Sequence, residues 1–178
     1  MANSTSIRIV VYGWSAYDLF RSHSLSFMKA TKKDLPAVNA LIQDSKASWG
    51  YAPELLAMWR EGLTIRESHL SERELYKGLT PDGLICCVYS FSKTTDGVFE
   101  LEECFVEPRF HGLGLGNQIM ADLFARLNEL GAKKVIIVAD PNAVGFYRKY
   151  GANQVGTYPS IPEGRQLPVL EIEMHEKG

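Results

Sequence analysis

Three glycines at alternate positions, in His111-Gly112-Leu113-Gly114-Leu115-Gly116-Asn117-Gln118, stand between a strand-like run and a long amphipathic helix pattern. A glycine lacks the Cβ that would hold a ligand away from the backbone. The helix that follows turns its unpaired N–H groups, and the positive end of its dipole, back on the loop. Strand, glycine loop and helix N-terminus together bind phosphate or pyrophosphate through main-chain donors. The chemistry on offer is that of a nucleotide-containing cofactor.

Two familiar phosphate loops do not fit. A dinucleotide fingerprint is G-x-G-x-x-G with an acidic residue about 20 residues further on. Read from Gly112, its third glycine falls on Asn117; read from Gly114, it falls on Ile119; and Asp140 lies beyond the acidic position. A Walker loop needs a lysine straight after its last glycine, where Asn117 stands.

The rest of the chain limits the function classes. With 178 residues, 46% hydrophobic and 22% charged, it reads as one globular domain with room for an appendage. A net charge of -2 argues against a general nucleic-acid or anionic-membrane surface. Cys86, Cys87 and Cys104 form no CxxC spacing, and their odd number suits neither a disulfide framework nor a zinc site. They lie in strand-like runs, as small buried hydrophobes do, and a reduced, cytoplasmic setting is expected. No metal site is expected either. No apolar run approaches the ~18 residues that span a bilayer, and Ile7 to Trp14 is too short and poorly flanked for a signal peptide.

Residues 1–25 are Ser-rich and irregular around an alternating Ile7, Ile9 and Val11, and read as an N-terminal extension of uncertain order. The core domain, 26–178, opens on a strand at Ser26–Thr31. Leu35, Val38, Leu41 and Ile42 then recur at helical spacing, with Thr31 or Asp34 to cap them. Ser48-Trp49-Gly50-Tyr51 breaks that helix, and Pro53 opens a second one carrying Leu55, Leu56 and Trp59. A further helical turn is expected between Arg66 and Glu74. A strand follows, ending at the turn Thr80-Pro81-Asp82-Gly83. Strands at Leu84–Phe91 and Val98–Val106 then flank the turn Thr95-Asp96-Gly97. Ile119, Met120, Leu123, Phe124, Leu127 and Leu130 mark the long helix, closed by Gly131. Lys134–Ala139 is a continuous apolar run, the mark of a buried parallel strand. A short helix over Ala143–Tyr150 and strands near Gln154–Tyr158 and Leu167–Met174 complete the order. It implies a mixed sheet with helices on both faces.

Two blocks now acquire meaning together. Val106-Glu107-Pro108 followed by Gly112-Leu113-Gly114-Leu115-Gly116 resembles the Val-x-Pro and [RQ]-x-x-G-x-[GA] signature of the GNAT superfamily of acetyl-CoA-dependent N-acetyltransferases. Asn142-Ala143, Gly145-Phe146-Tyr147 and Tyr150-Gly151-Ala152 resemble that superfamily's Asn-Ala, Phe-Tyr and Leu-Gly-Phe stretch. The resemblance covers roughly residues 26 to 175. Two departures stand out: His111 occupies the place where the superfamily favours Arg or Gln, and Gly151-Ala152 replaces Gly-Phe. Arg109 is a nearby cation that could stand in for His111.

The resemblance implies an α/β fold (α+β mixed) of GNAT type: a mostly antiparallel twisted sheet, helices on both faces, and a splayed parallel strand pair at the cofactor site. It implies acetyl-CoA as cosubstrate, a small-molecule or protein amine as acceptor, and pairing into a homodimer through the C-terminal strands. Backbone groups of Cys104, Phe105 and Val106 would face the pantetheine, with Phe105 or Val106 donating to the oxyanion. His111, Gly112, Leu113, Gly114, Leu115, Gly116 and Asn117 would hold the pyrophosphate. Asn142 would bond the pantetheine arm or cap a helix, with Phe146 beside it facing the cofactor.

Acetyl transfer to an amine requires that the amine lose a proton, that negative charge on the carbonyl oxygen be stabilised, and that the thiolate be protonated. Tyr147 is the expected general acid; the alternative is a packing tyrosine. Glu102, and then Glu100, is the expected general base, because alternation places both on one strand face with Cys104 and leaves Leu101, Glu103 and Phe105 on the other. A bulge near the splay would shift that register; the alternative is a solvated strand face. Trp49 and Tyr51 either wall the acceptor site or pack the helix corner. Acetylation of Cys104 is a further route, disfavoured by the raised pKa of a buried thiol. The competing function is a non-catalytic acyl-CoA-binding or sensing module.

Overall fold

The computed structural model describes residues 25–174. The expected extension over 1–25, but for its last residue, and the Ile7 to Trp14 segment lie outside the described residues. The elements run β1 (Ser26–Lys29), α1 (Leu35–Ala47), α2 (Pro53–Trp59), α3 (His69–Glu72), β2 (Glu74–Leu79), β3 (Ile85–Thr95) and β4 (Val98–Val106). They continue with α4 (Leu115–Glu129), β5 (Lys134–Val138), α5 (Val144–Arg148), β6 (Asn153–Pro159) and β7 (Gln166–Glu173). The seven strands form one sheet in the order β1-β2-β3-β4-β5-β7-β6. Every pairing is antiparallel except β4 with β5. This is the mixed architecture that the apolar periodicities imply.

Helices cover both faces. On one, Val38, Leu41 and Ile42 of α1 pack with Leu75 and Val88. On the other, Ile119, Met120, Leu123 and Leu127 of α4 are fully buried against Tyr89, Phe91, Leu101, Val135 and Ile137. β3, covered on both sides, is buried without interruption from Cys86 to Phe91, which explains its unbroken apolar run. Among the described residues no helix is long and apolar enough to cross a membrane.

One irregularity shapes the centre of the sheet. Along β3 and β4, Ser90 pairs with Glu103 but Phe91 with Leu101, so Glu102 is an extra residue in a β-bulge. The bulge corrects the simple alternation expected for β4. Leu101, Cys104 and Val106 share the α4 face, and Phe105 packs on the α1 side.

Candidate active site

The bulge falls where two parallel strands part. β5 pairs with β4 only from Val98↔Lys134 to Leu101↔Ile137. Beyond that, β5 stays with β7, and Ala139 N–H donates to Pro168 O at 2.9 Å. From Glu102 onward β4 therefore has β3 on one edge and a gap on the other. The N–H of Glu107 donates to Cys86 O at 2.9 Å. Its neighbour pair Val106↔Cys87 is then one whose own N–H and C=O groups point away from β3. By the same alternation, Cys104 turns its backbone groups into the gap, whereas Phe105 spends its own on β3. Phe105, expected among the cofactor-facing residues, is thus oriented away from them, and Val106 is left as the candidate oxyanion donor. The ring of His111 donates from Nε2 to Val106 O at 2.8 Å. The residue that departs from the superfamily pattern thus rests on the open edge of β4. Arg109, the other cation considered there, is held by Glu107 at 2.6 Å.

The glycine loop sits at the end of this gap. Gly112 and Gly114 adopt φ of 77° and 83°, with open space where a Cβ would stand. Such backbone favours glycine. It leads directly into α4, whose Asn117 and Gln118 N–H groups both reach Gly114 O. The N–H groups of Gly112, Gly114, Leu115 and Gly116 have no partner among the described residues, which makes a ready anion cradle. Gly116 also meets a packing demand. It is helical, and a Cβ there would meet the Phe146 ring at 3.0 Å, so it lets α5 approach α4. Phe146 is placed behind the cradle, and Tyr150 Oη donates to Asn117 Oδ1 at 2.6 Å.

Tyr147 lies on the inner side of α5, 6% exposed, in contact with Cys104. Burial, and then the Cys104 thiol, push its pKa well above 10.0. Burial likewise raises Cys104 to about 11. A thiol so reluctant to ionise is a poor nucleophile, which weighs against an acetyl-cysteine route.

The carboxylates of β4 divide into two kinds. Glu103 accepts from Ser90 Oγ and from Arg73 Nη1 at 2.8 Å. Glu102 accepts from Ser92 Oγ at 2.7 Å and lies 3.8 Å from Arg73. Glu100 has no hydrogen bond or ion pair among the described residues. Burial, and then the like charge of Glu102, raise its pKa, with Arg73 opposing.

Beyond the end of β5 stands a second cluster. Asp140 receives Lys46 Nζ, Tyr51 Oη at 2.8 Å to both oxygens, and the N–H of Asn142 at 2.9 Å. Burial alone would raise the Asp140 pKa; Lys46, the Asn142 N–H and Tyr51 outweigh it and hold the group below the usual carboxylate range. Asn142 Nδ2 donates to Tyr51 Oη at 3.0 Å. Asp140, not Asn142, is therefore the cap of the turn before α5, and the Asn142 side chain joins that turn to the α1–α2 loop. Tyr51 meets the Trp59 ring edge-on at 4.9 Å, and Trp59 Nε1 donates to Ile161 O at 2.7 Å. Trp49 remains 39% exposed.

A family model described as the acetyltransferase (GNAT) domain matches residues 64–158, more than half of the chain. The chain belongs to the GNAT family. Among curated proteins it is similar to the chloroplastic serotonin N-acetyltransferase 2 of Oryza sativa subsp. japonica, 43% identical over 58 residues. That stretch is 32% of this chain and 29% of the relative, so the chain spans under a third of that relative's length. Among solved structures it is similar to a GCN5-related N-acetyltransferase from Rhodopseudomonas palustris, with a TM-score of 0.70 at 16% identity over 85% of this chain and 96% of that one. It is also similar to the PaiA N-acetyltransferase of Thermoplasma acidophilum in complex with coenzyme A, with a TM-score of 0.65 at 15% identity over 85% and 99% of the two chains.

Within the GNAT frame the structure brings together Cys104, Val106, the glycine loop, Asn142 and Tyr147 around the gap, and ties Tyr51 to its β5 side. Lys46, Trp59, Asp140, Arg165 and Arg73 were not singled out from the sequence. One signal was available for Asp140. It follows the carboxyl end of a parallel strand, where open α/β sheets bind ligands.

Proposed function

We propose that this chain transfers an acetyl group from acetyl-CoA to a primary amine by direct attack. The observation that carries the proposal is the gap between β4 and β5. On it converge an anion cradle of free N–H groups, two outward-facing backbone edges and a buried, protonated phenol. The Gly112–Asn117 segment would hold the pyrophosphate, and Cys104 and Val106 the pantetheine arm, with His111 yielding Val106 O as the arm enters. Val106 N–H would face the charge developing on the carbonyl oxygen. Tyr147 would donate to the sulfur as the C–S bond breaks and the amide C–N bond forms.

Glu100 suits the base better than Glu102. Its carboxylate is unpaired and its pKa is raised, which suits a proton acceptor, whereas the Glu102 carboxylate already accepts from Ser92 Oγ. Glu100→Gln is expected to lower kcat/KM by about a hundredfold at neutral pH. The sign follows from the raised pKa: the base is active when ionised, so kcat/KM falls as pH drops through a value above the ordinary 4.5, and this acidic limb disappears in the variant. A pH–rate series on both proteins reads it, and an unchanged limb removes Glu100 from the role.

Incubation with acetyl-CoA and a panel of amines, with free thiol measured, tests the activity itself. Thiol release that depends on an amine is expected. No release with any amine, together with no acetyl-CoA binding by calorimetry, overturns the proposal. Homodimerisation would use β6, an edge strand exposed along its length with Val155 and Tyr158 outward.

A further inference from the structure

The cluster beyond β5 gathers three separate stretches of chain onto one carboxylate. Lys46 comes from α1, Tyr51 from the α1–α2 loop and Arg165 from the β6–β7 loop, and all three interact with Asp140. Lys46, Asp140 and Arg165 are 12%, 14% and 19% exposed, so their charges are largely withdrawn from water and depend on one another. Two rings are packed into the same unit. Lys46 Nζ lies over Tyr51 and Trp59, 4.9 and 5.1 Å from the ring centres, and the Arg165 guanidinium lies 4.3 Å from the centre of Trp59. Trp59 Nε1 in turn donates to Ile161 O, on the loop that carries Arg165. A polar cluster engaged so fully with itself fixes the relation of its parts.

One of those parts leads to the phenol at the gap. Asp140 accepts the Asn142 N–H at 2.9 Å and the Tyr51 hydroxyl at 2.8 Å, and Asn142 Nδ2 donates to that hydroxyl at 3.0 Å. Asn142 lies in the turn Pro141–Ala143, which runs straight into α5. A helix as short as α5, five residues, is not held by its own hydrogen bonds. Towards its far end the Phe146 ring packs on Gly116 and Tyr150 Oη donates to Asn117 Oδ1; at its start stands the Asp140 cap. Tyr147, between these two anchors, meets Cys104. The charge of Asp140 also reaches Tyr147 and adds to the burial that keeps the phenol protonated. We propose that Asp140 is a positioning residue for acetyl transfer: with Asn142 and Tyr51 it anchors the start of α5 to α1 and the two loops, and so holds the Tyr147 hydroxyl at the gap. This inference rests on the acetyltransferase reading above.

A double-mutant cycle on kcat, read by thiol release, tests it. Misplacing a reacting group by about 1 Å can cost about a hundredfold in rate. Asp140→Asn, which removes the charge that holds Lys46, is expected to lower kcat by about ten- to a hundredfold. Tyr51→Phe, which removes one hydroxyl and keeps the ring, is expected to lower it by about three- to tenfold. In both, the KM for acetyl-CoA changes much less, because the glycine loop is untouched. Made in a Tyr147→Phe background, the same substitutions are expected to lower kcat by less than about twofold more, since a residue that acts through the Tyr147 hydroxyl has nothing left to position. Losses that multiply in the double variants, an unchanged kcat in Tyr51→Phe or in Tyr147→Phe, or an effect confined to the KM for the amine overturns the inference while the transferase reading stands. Thermal melts identify an Asp140→Asn protein that fails to fold, and the Tyr51→Phe cycle then decides alone. No thiol release by the wild-type protein with any amine, together with no acetyl-CoA binding, overturns the transferase reading and this inference with it.

Discussion

Tyr147→Phe is expected to lower kcat by about a hundred- to a thousandfold while acetyl-CoA affinity changes far less. The hydroxyl is in contact with Cys104 at the open edge of β4 and is screened from solvent by burial. Its pKa lies well above 10.0, so the phenol stays protonated throughout the range in which an enzyme is assayed. A coenzyme thiol leaves as a thiolate of ordinary pKa near 8.5, a weaker base than the phenolate. On the proposed mechanism Tyr147 would therefore act first as a hydrogen-bond donor to the charge that grows on sulfur. The proton shed by the amine completes the balance. A charge-assisted bond that exists only once charge has developed lowers the barrier without tightening ground-state binding, hence the split between kcat and affinity. Stability is a small part of the effect. The lost contact is a single hydroxyl–thiol pair, about 1 kcal/mol, and the ring keeps its edge-on packing at 5.2 Å on Phe146. Stopped-flow or steady-state thiol release checks kcat, and calorimetry checks binding. The acidic limb assigned to Glu100 is expected to persist in Tyr147→Phe, because it belongs to a different proton. An unaltered kcat assigns Tyr147 to packing. Binding with no turnover in either protein favours a non-catalytic acyl-CoA module.

The contrast between β4 and the Asp140 cluster explains how much of this site can be read from residues alone. Local periodicity revealed the apolar stripes of α1 and α4, the continuous core of β5, and the Val106-Glu107-Pro108 stop before the glycine loop. All of these depend on neighbours within a turn or two of the chain. The bulge at Glu102 was harder because an acidic run hides it. Its trace is that Leu101 and Cys104, both facing α4, are separated by an odd step that breaks the two-residue period. That one residue decides which carboxylates share a face and takes Glu100 off the face of Cys104. The Asp140 cluster leaves little local trace beyond the place of Asp140 after a parallel strand. Lys46 and Tyr51 reach Asp140 across 94 and 89 residues; Lys46, read alone, is an ordinary surface lysine, and Tyr51 reads only as a wall of the acceptor site or as packing at the helix corner. Only closure of the sheet, with the α1–α2 loop laid over the end of β5, makes them one electrostatic unit. Gly116 carries a second constraint that its motif does not announce: its missing Cβ makes room for the Phe146 ring.

Gly114→Val is expected to weaken acetyl-CoA by more than about a hundredfold, and a matched control separates the two ways in which it could do so. Gly114 has φ of 83° and immediately precedes α4. A β-branched residue in that region strains the backbone by about 1–3 kcal/mol. The chain relieves the strain by turning the loop out of the left-handed region, which disperses the N–H groups of Gly112, Gly114, Leu115 and Gly116. It also sets a branched side chain in the open space above them. A pyrophosphate held by about four charge-assisted N–H contacts, each worth about 1.5–3 kcal/mol, cannot lose two of them and keep its affinity. Global strain alone would act differently, lowering stability wherever it was introduced. Gly131 supplies that comparison. It has φ of 70° with nothing within 4 Å of its would-be Cβ, and it lies past the far end of α4. Gly131→Val is expected to lower the melting temperature about as much as Gly114→Val and to retain acetyl-CoA binding. Calorimetric titration and thermal melts on the pair read both quantities. If the two variants lose affinity in step with stability, the loop is merely a fold element. If Gly114→Val alone loses the cosubstrate, the left-handed glycine is what aims the backbone donors at its phosphates.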